Sequence, residues 1–163
     1  MALPLSSRAL FAWVAASSAA LMGFALYLQH VLNELPCPLC ISQRLFVIAI
    51  GIVALLAAII NPQTLARRVT AGLMLVRAIT GAAVAGRHVW LQSLPEDQVP
   101  ACGPGLGYMF QNFPLQKAFE LLFMGNGNCA EQGWTFLTLS IPAWTLICFA
   151  LYGLIAIYQL LRR

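Results

Sequence analysis

Cys37-Pro38-Leu39-Cys40 carries the densest reactive chemistry in this 163-residue chain. At this spacing, at the start of a helix, two sulfurs can close a small disulfide ring. The free backbone N–H groups and the helix dipole there stabilise a thiolate and lower its pKa. Arg44 follows Cys40 by one helical turn on the same face, and its guanidinium is expected to add positive charge near that sulfur. The expected product is a reactive, easily exchanged disulfide. Cys102 and Cys129 form a second pair with 26 residues between them. As a staple, a loop of that length would contribute about 3.5 kcal/mol. A second pair able to approach the first would instead make a relay by thiol–disulfide exchange. Cys148 stands in an apolar run and reads as a small buried hydrophobe.

The elements that position these thiols follow from composition. Hydrophobic residues make up 61% of the chain and charged residues 9%, whereas a soluble domain has about 25% charged residues. This excludes an ordinary cytosolic enzyme, a disordered chain and a nucleic-acid binder. At about 20 apolar residues per crossing the chain holds four membrane helices and loops, in a single domain covering 1–163. The spans are expected at about 10–28, 41–60, 69–91 and 142–161. The first is too long for the core of a cleaved signal peptide. Asn61-Pro62 stops the second, and Arg77, Arg87 and His88 weaken the third. The outer loops are then 29–40 and 92–141; a connection as long as the latter tends to be functional. Within it, Leu115, Ala118, Phe119 and Leu122 share one face of a short amphipathic helix, expected on the membrane surface or on the ends of the spans, and Gly125-Asn126-Gly127-Asn128 ends it.

Charge sets the orientation. Arg8, Arg67, Arg68, Arg162 and Arg163 fall on one side of the four-span arrangement, and all five acids (Glu34, Glu96, Asp97, Glu120 and Glu131) on the other. The basic side is expected to be cytoplasmic, so both termini are inside. Cys37, Cys40, Cys102 and Cys129 then face the compartment where disulfides persist. No metal is expected: zinc sites pair two close-spaced knuckles, and only one C-x-x-C exists here. Three cations near the spans have competing readings. Arg44 either snorkels or serves the site, Arg77 either snorkels inward or pairs with a carbonyl, or else marks a transport path, and His88 is either an interface residue or a donor to a ligand.

Four spans with both termini inside, Cys37-Pro38-Leu39-Cys40-Ile41-Ser42-Gln43-Arg44 opening the second, and Cys102 with Cys129-Ala130-Glu131 in the long outer loop resemble the disulfide bond formation protein B (DsbB) family over essentially the whole chain. The resemblance implies an all-α membrane protein, a four-transmembrane-helix bundle in the bacterial inner membrane, whose redox cysteines face the periplasm. It implies a quinone reductase that makes disulfides. A periplasmic thioredoxin-fold partner of the DsbA type would attack Cys102, with Cys129 as the intramolecular mate. Electrons would pass to Cys37 and Cys40, and from there to ubiquinone or menaquinone. Cys40 matches the thiol that meets the quinone, Arg44 the quinone-site arginine, and His88 a quinone-proximal histidine. A non-catalytic protein with two structural staples, and a small transporter built on Arg77, remain the alternatives to be distinguished.

Overall fold

The structure, a computed structural model, describes residues 6–102, 114, 122–131 and 133–162. Four helices dominate: α1 (Ser7–His30), α2 (Pro38–Ile60), α3 (Thr64–Gln92) and α4 (Ile141–Leu161). All four are long and apolar enough to cross a membrane. Each outlasts the span expected from hydropathy, because polar residues such as Thr64 to Arg68 continue the helix past the hydrocarbon edge. At 1.5 Å per residue the 29 residues of α3 reach about 44 Å, against a hydrocarbon core of about 30 Å.

Local chemistry sets the helix ends. The Ser6 hydroxyl accepts from the Ala9 N–H at 3.2 Å and starts α1. Cys37 caps α2, with Pro38 at its first position, where a missing N–H costs nothing. Asn61, at φ 49°, ends α2 in the left-handed conformation, as Asn61-Pro62 foretold. Pro142 occupies the first turn of α4.

The helices pack in chain order. Phe11 and Val14 of α1, Val47, Ile50 and Ala54 of α2, Met74 and Ala78 of α3, and Phe149, Tyr152 and Ala156 of α4 form one core. Large apolar residues such as Ile52, Leu55, Ile59, Val76, Ile79 and Leu154 point outward, as lipid-facing positions require. Small residues allow the closest approaches: a Cβ at Gly81 would lie 2.5 Å from the Phe149 ring, and one at Gly51 would lie 2.9 Å from the Ser18 Cβ.

The two ends of the bundle differ. At the arginine end, Arg8 Nε donates to the Ala58 carbonyl at 2.9 Å, capping the end of α2. Gln159 Nε2 donates to the Ser7 carbonyl at 3.2 Å, and at mid-bundle the Tyr152 hydroxyl lies 2.9 Å from Ser17 Oγ, so α4 is tied to α1. At the cysteine end the same two helices enclose a cavity instead. Arg77 donates to the Leu73 carbonyl of its own helix at 3.0 Å, which agrees with the carbonyl-pairing reading.

The long loop contains a hairpin that the helical pattern did not reveal. β1 (Thr135–Phe136) pairs antiparallel with β2 (Leu139–Ser140) through a two-residue turn, in which Leu137 and Thr138 have φ of 50° and 66°. Most of the expected amphipathic helix at 115–123 lies outside the described residues; 122–124 are helical.

Gly81→Ala is expected to lower the thermal midpoint of the detergent-solubilised protein by overpacking α3 against α4, at a cost of about 1–3 kcal/mol. Gly72→Ala, where a Cβ meets nothing within 4 Å, should leave the midpoint nearly unchanged.

Candidate active site

The start of α2 brings two sulfurs together. Cys37 Sγ accepts the Cys40 backbone N–H at 3.3 Å, and the two Sγ atoms lie 3.1 Å apart. All five cysteines are free thiols in this structure. From α3, His88 reaches the pair with Nε2 3.7 Å from Cys37 Sγ. It is only 2% exposed, which removes the interface-residue reading. Its other nitrogen, Nδ1, lies 3.0 Å from the amide nitrogen of buried Gln43. That amide nitrogen can donate to Nδ1, and Nε2 is the ring nitrogen that faces the sulfur. Gln43 was no more than a polar residue in the first turn of a span when read as sequence. Its place one turn below the C-x-x-C pair, facing inward, is the signal that could have singled it out.

The loop delivers a third thiol. Cys129 ends a 3-10 turn (Gly127–Cys129), is fully buried, and packs against Leu39, Val84 and Leu91. Its Sγ donates to Asn126 Oδ1 at 3.8 Å, and Cys37 packs beside it as the main group that can donate to the Cys129 thiolate. Donation from Cys37 holds the Cys129 thiol at about 6, against an ordinary 9.0; burial pushes the other way, and backbone N–H groups at Asn126 and Leu39 add to the lowering. Cys37 is correspondingly pushed up by its hydrogen bonds with Cys129 and Cys40 and then by burial.

Cys102 is exposed and lies against the same turn. The Gly127 N–H donates to the Ala101 carbonyl at 3.2 Å. A Cβ at Gly127 would sit 3.1 Å from Cys102 Sγ and collide with the Pro100 carbonyl, so glycine is required. Two further bonds pin the preceding segment over the bundle: Ser42 Oγ donates to the Leu122 carbonyl at 2.6 Å, and Arg87 Nε to the Met124 carbonyl at 2.8 Å. Arg87, unassigned from sequence, is thus an anchor for the loop.

Beside the thiols lies a cavity of about 660 Å³, within the size range of small-molecule sites. Cys37, Cys40, His88 and Arg44 reach its wall, as do Leu21 and Ala25 of α1. The Arg44 guanidinium donates to Gln29 Oε1 at 2.5 Å and to the Ala25 carbonyl at 3.2 Å. Its hydrogen bonds therefore go to the last turns of α1 rather than to Cys40, and it shares the cavity with that sulfur. Cys148 also lines the cavity, a position its apolar surroundings did not suggest. Aromatic rings complete the wall: Trp134 stacks on Phe136 at 5.8 Å and meets Phe24 edge-on at 5.4 Å, while Trp144 Nε1 donates to the Phe136 carbonyl at 3.0 Å.

Fold and site together define a polytopic membrane protein with a cluster of free thiols beside an apolar cavity at one end of its bundle. The family of the Disulfide bond formation protein DsbB matches residues 7–159. Relatives named Disulfide bond formation protein B include those of Saccharophagus degradans (55% identical, covering 85% of this chain and 84% of the relative), Nitrosococcus oceani (52%, covering 88% and 85%) and Methylococcus capsulatus (49%, covering 98% and 96%). The chain belongs to the DsbB family.

Since the folded pKa of Cys129 lies below its unfolded value, ionisation favours the folded state. That contribution is complete above about 9 and is lost as pH falls towards about 6. Thermal stability of the reduced protein should therefore rise between these limits, and Cys129→Ser should flatten the rise; melting curves of both proteins across the window check this.

Proposed function

We propose that this protein is a membrane thiol:quinone oxidoreductase that reoxidises a periplasmic DsbA-type dithiol protein. Of the family, the DsbA–DsbB–quinone system is what keeps the bacterial periplasm oxidising. One observation carries the reading: an N-capping C-x-x-C pair in the wall of an apolar cavity, with a third thiol packed beside it from the loop.

The partner's thiolate attacks exposed Cys102 of a Cys102–Cys129 disulfide, forming a mixed disulfide and releasing Cys129. Cys129, stabilised as a thiolate, attacks Cys37 of the Cys37–Cys40 disulfide and frees the Cys40 thiolate. The partner's second thiol then attacks the mixed disulfide and leaves oxidised. The freed Cys102 thiolate attacks Cys129 of the Cys37–Cys129 disulfide, which restores Cys102–Cys129 and leaves Cys37 and Cys40 as the dithiol that supplies the quinone's electrons. Two electrons and two protons pass from the partner dithiol to the quinone, whose chemistry is that of a two-electron acceptor. The cavity's volume and apolar wall suit a quinone ring. Arg44 is the donor suited to a quinone carbonyl, and the N–H of His88 can follow charge developing beside Cys37. The basic termini in the cytoplasm of a bacterial cell, with the thiols at the periplasmic face of its inner membrane, complete the proposal.

Anaerobic mixing with reduced DsbA-type protein and ubiquinone should produce quinol, read from the loss of quinone absorbance. Cys37→Ser, Cys40→Ser, Cys102→Ser and Cys129→Ser should each abolish it; full activity surviving any of the four would sink the relay. Arg44→Ala should raise the KM for quinone roughly 10- to 100-fold, the worth of a charged hydrogen bond of about 1.5–3 kcal/mol. Thiol exchange with the partner should stay intact, and unchanged quinone kinetics would remove Arg44 from the site.

A further inference from the structure

Cys37 Sγ, Cys40 Sγ and a ring nitrogen of His88 all lie within 4.8 Å of one another. In a tetrahedral zinc site, with bonds of about 2.3 Å to sulfur and about 2.0 Å to nitrogen, the corners stand about 3.5–3.8 Å apart. Here the sulfurs are 3.1 Å apart, and Nε2 is 3.7 Å from Cys37 Sγ. Shifts of less than about an ångström at the side chains would turn these atoms into three corners of such a site. The fourth corner is open to a water molecule or an added ligand, as in zinc sites with three protein ligands. The sequence pointed away from zinc because it holds one close-spaced cysteine pair. The fold supplies a third donor from α3.

The surroundings suit a ligand histidine. Metal-bound imidazole needs its other nitrogen held by a hydrogen bond, and Gln43 holds Nδ1 at 3.0 Å. Binding through Nε2 places the ring proton on Nδ1, and a half-turn of the Gln43 amide presents its oxygen to accept that proton. The site is also largely enclosed, with His88 and Cys129 buried.

We propose that the reduced Cys37–Cys40–His88 cluster binds a thiophilic divalent cation, Zn²⁺ or Cd²⁺, through these three protein ligands, and that bound cation and disulfide exclude each other. Each ligating thiol gives up its proton to solvent and keeps its electrons, so binding involves no oxidation. A closed Cys37–Cys40 disulfide has no thiolate to offer. Conversely, lone pairs committed to the cation cannot form the disulfide. The cation is thus an inhibitor of the reduced state rather than a resident cofactor. Arrest of turnover rests on the oxidoreductase reading above; the binding itself does not.

The test adds Cd²⁺ to anaerobically reduced, detergent-solubilised protein and reads the ultraviolet thiolate-to-cadmium band alongside competition with a chromophoric chelator. One equivalent should bind per chain, and none to wild-type protein first oxidised to its disulfides, a comparison that needs no variant to fold. Cys37→Ser and Cys40→Ser should lose the tight site, and Gln43→Ala should weaken it by about 10- to 100-fold. Cys148→Ala should retain it. Absence of a band in the reduced protein, equal binding after oxidation, or tight binding that survives both cysteine substitutions overturns the proposal. Zn²⁺ added during quinone-dependent turnover should stop it, and a chelator should restore it. Turnover without cation binding defeats this inference alone, whereas cation binding without any turnover defeats the oxidoreductase reading and leaves the site standing.

Discussion

The cap of α2 is a sulfur atom. An oxygen from serine, threonine, aspartate or asparagine usually fills that position, accepting a hydrogen bond from the first turn; here Cys37 Sγ receives the Cys40 N–H. Everything around the site is arranged on this contact. It sets the two sulfurs side by side, aims the amide dipoles of α2 at them, and places the pair where the apolar helix begins. Pro38 supports the geometry, since its fixed φ suits the first turn. A change at the Cys37 sulfur is therefore also a change at a helix terminus.

Three elements remote in sequence converge on that cap. His88 arrives from α3 and is oriented by Gln43 of α2. Cys129 arrives on a turn whose glycines answer to contacts: Gly125 has φ 76° and lies against Leu39, and Gly127 lies against the 100–102 segment. Arg87 and Ser42 bind the carbonyls just before this turn. Burial then makes each polar contact count, because an unpaired group here has no water to turn to.

The bundle was legible in the sequence, because a bilayer demands long apolar runs and the chain contains four. The helix ends were less so: hydropathy marks the hydrocarbon boundary, and Thr64 to Arg68 remain helical beyond it. The Cys37–Cys40 pair could be recognised from spacing, a local property. The meeting of Cys129 with Cys37, the burial of His88 beside Gln43 and the cavity wall reached by Cys148 depend on how distant segments fold back, and no periodicity encodes that. The hairpin escaped for a different reason. Two-residue hairpin turns usually announce themselves with Asn-Gly or Asp-Gly, and this one uses Leu137-Thr138 at positive φ. A β-branched residue in that conformation is strained.

The unequal ends of the bundle have a mechanical consequence. Around Ser7, Ser17 and Tyr152, hydrogen bonds lock α1 to α4, while near Leu21 and Thr145 the same helices border open space. Such an assembly behaves like a clothes peg. Its spring runs from the arginine end to mid-bundle, and its jaws, α1 and α4, flank the thiols. Parting the jaws takes flexing of two helices only, with the Phe149 core left undisturbed.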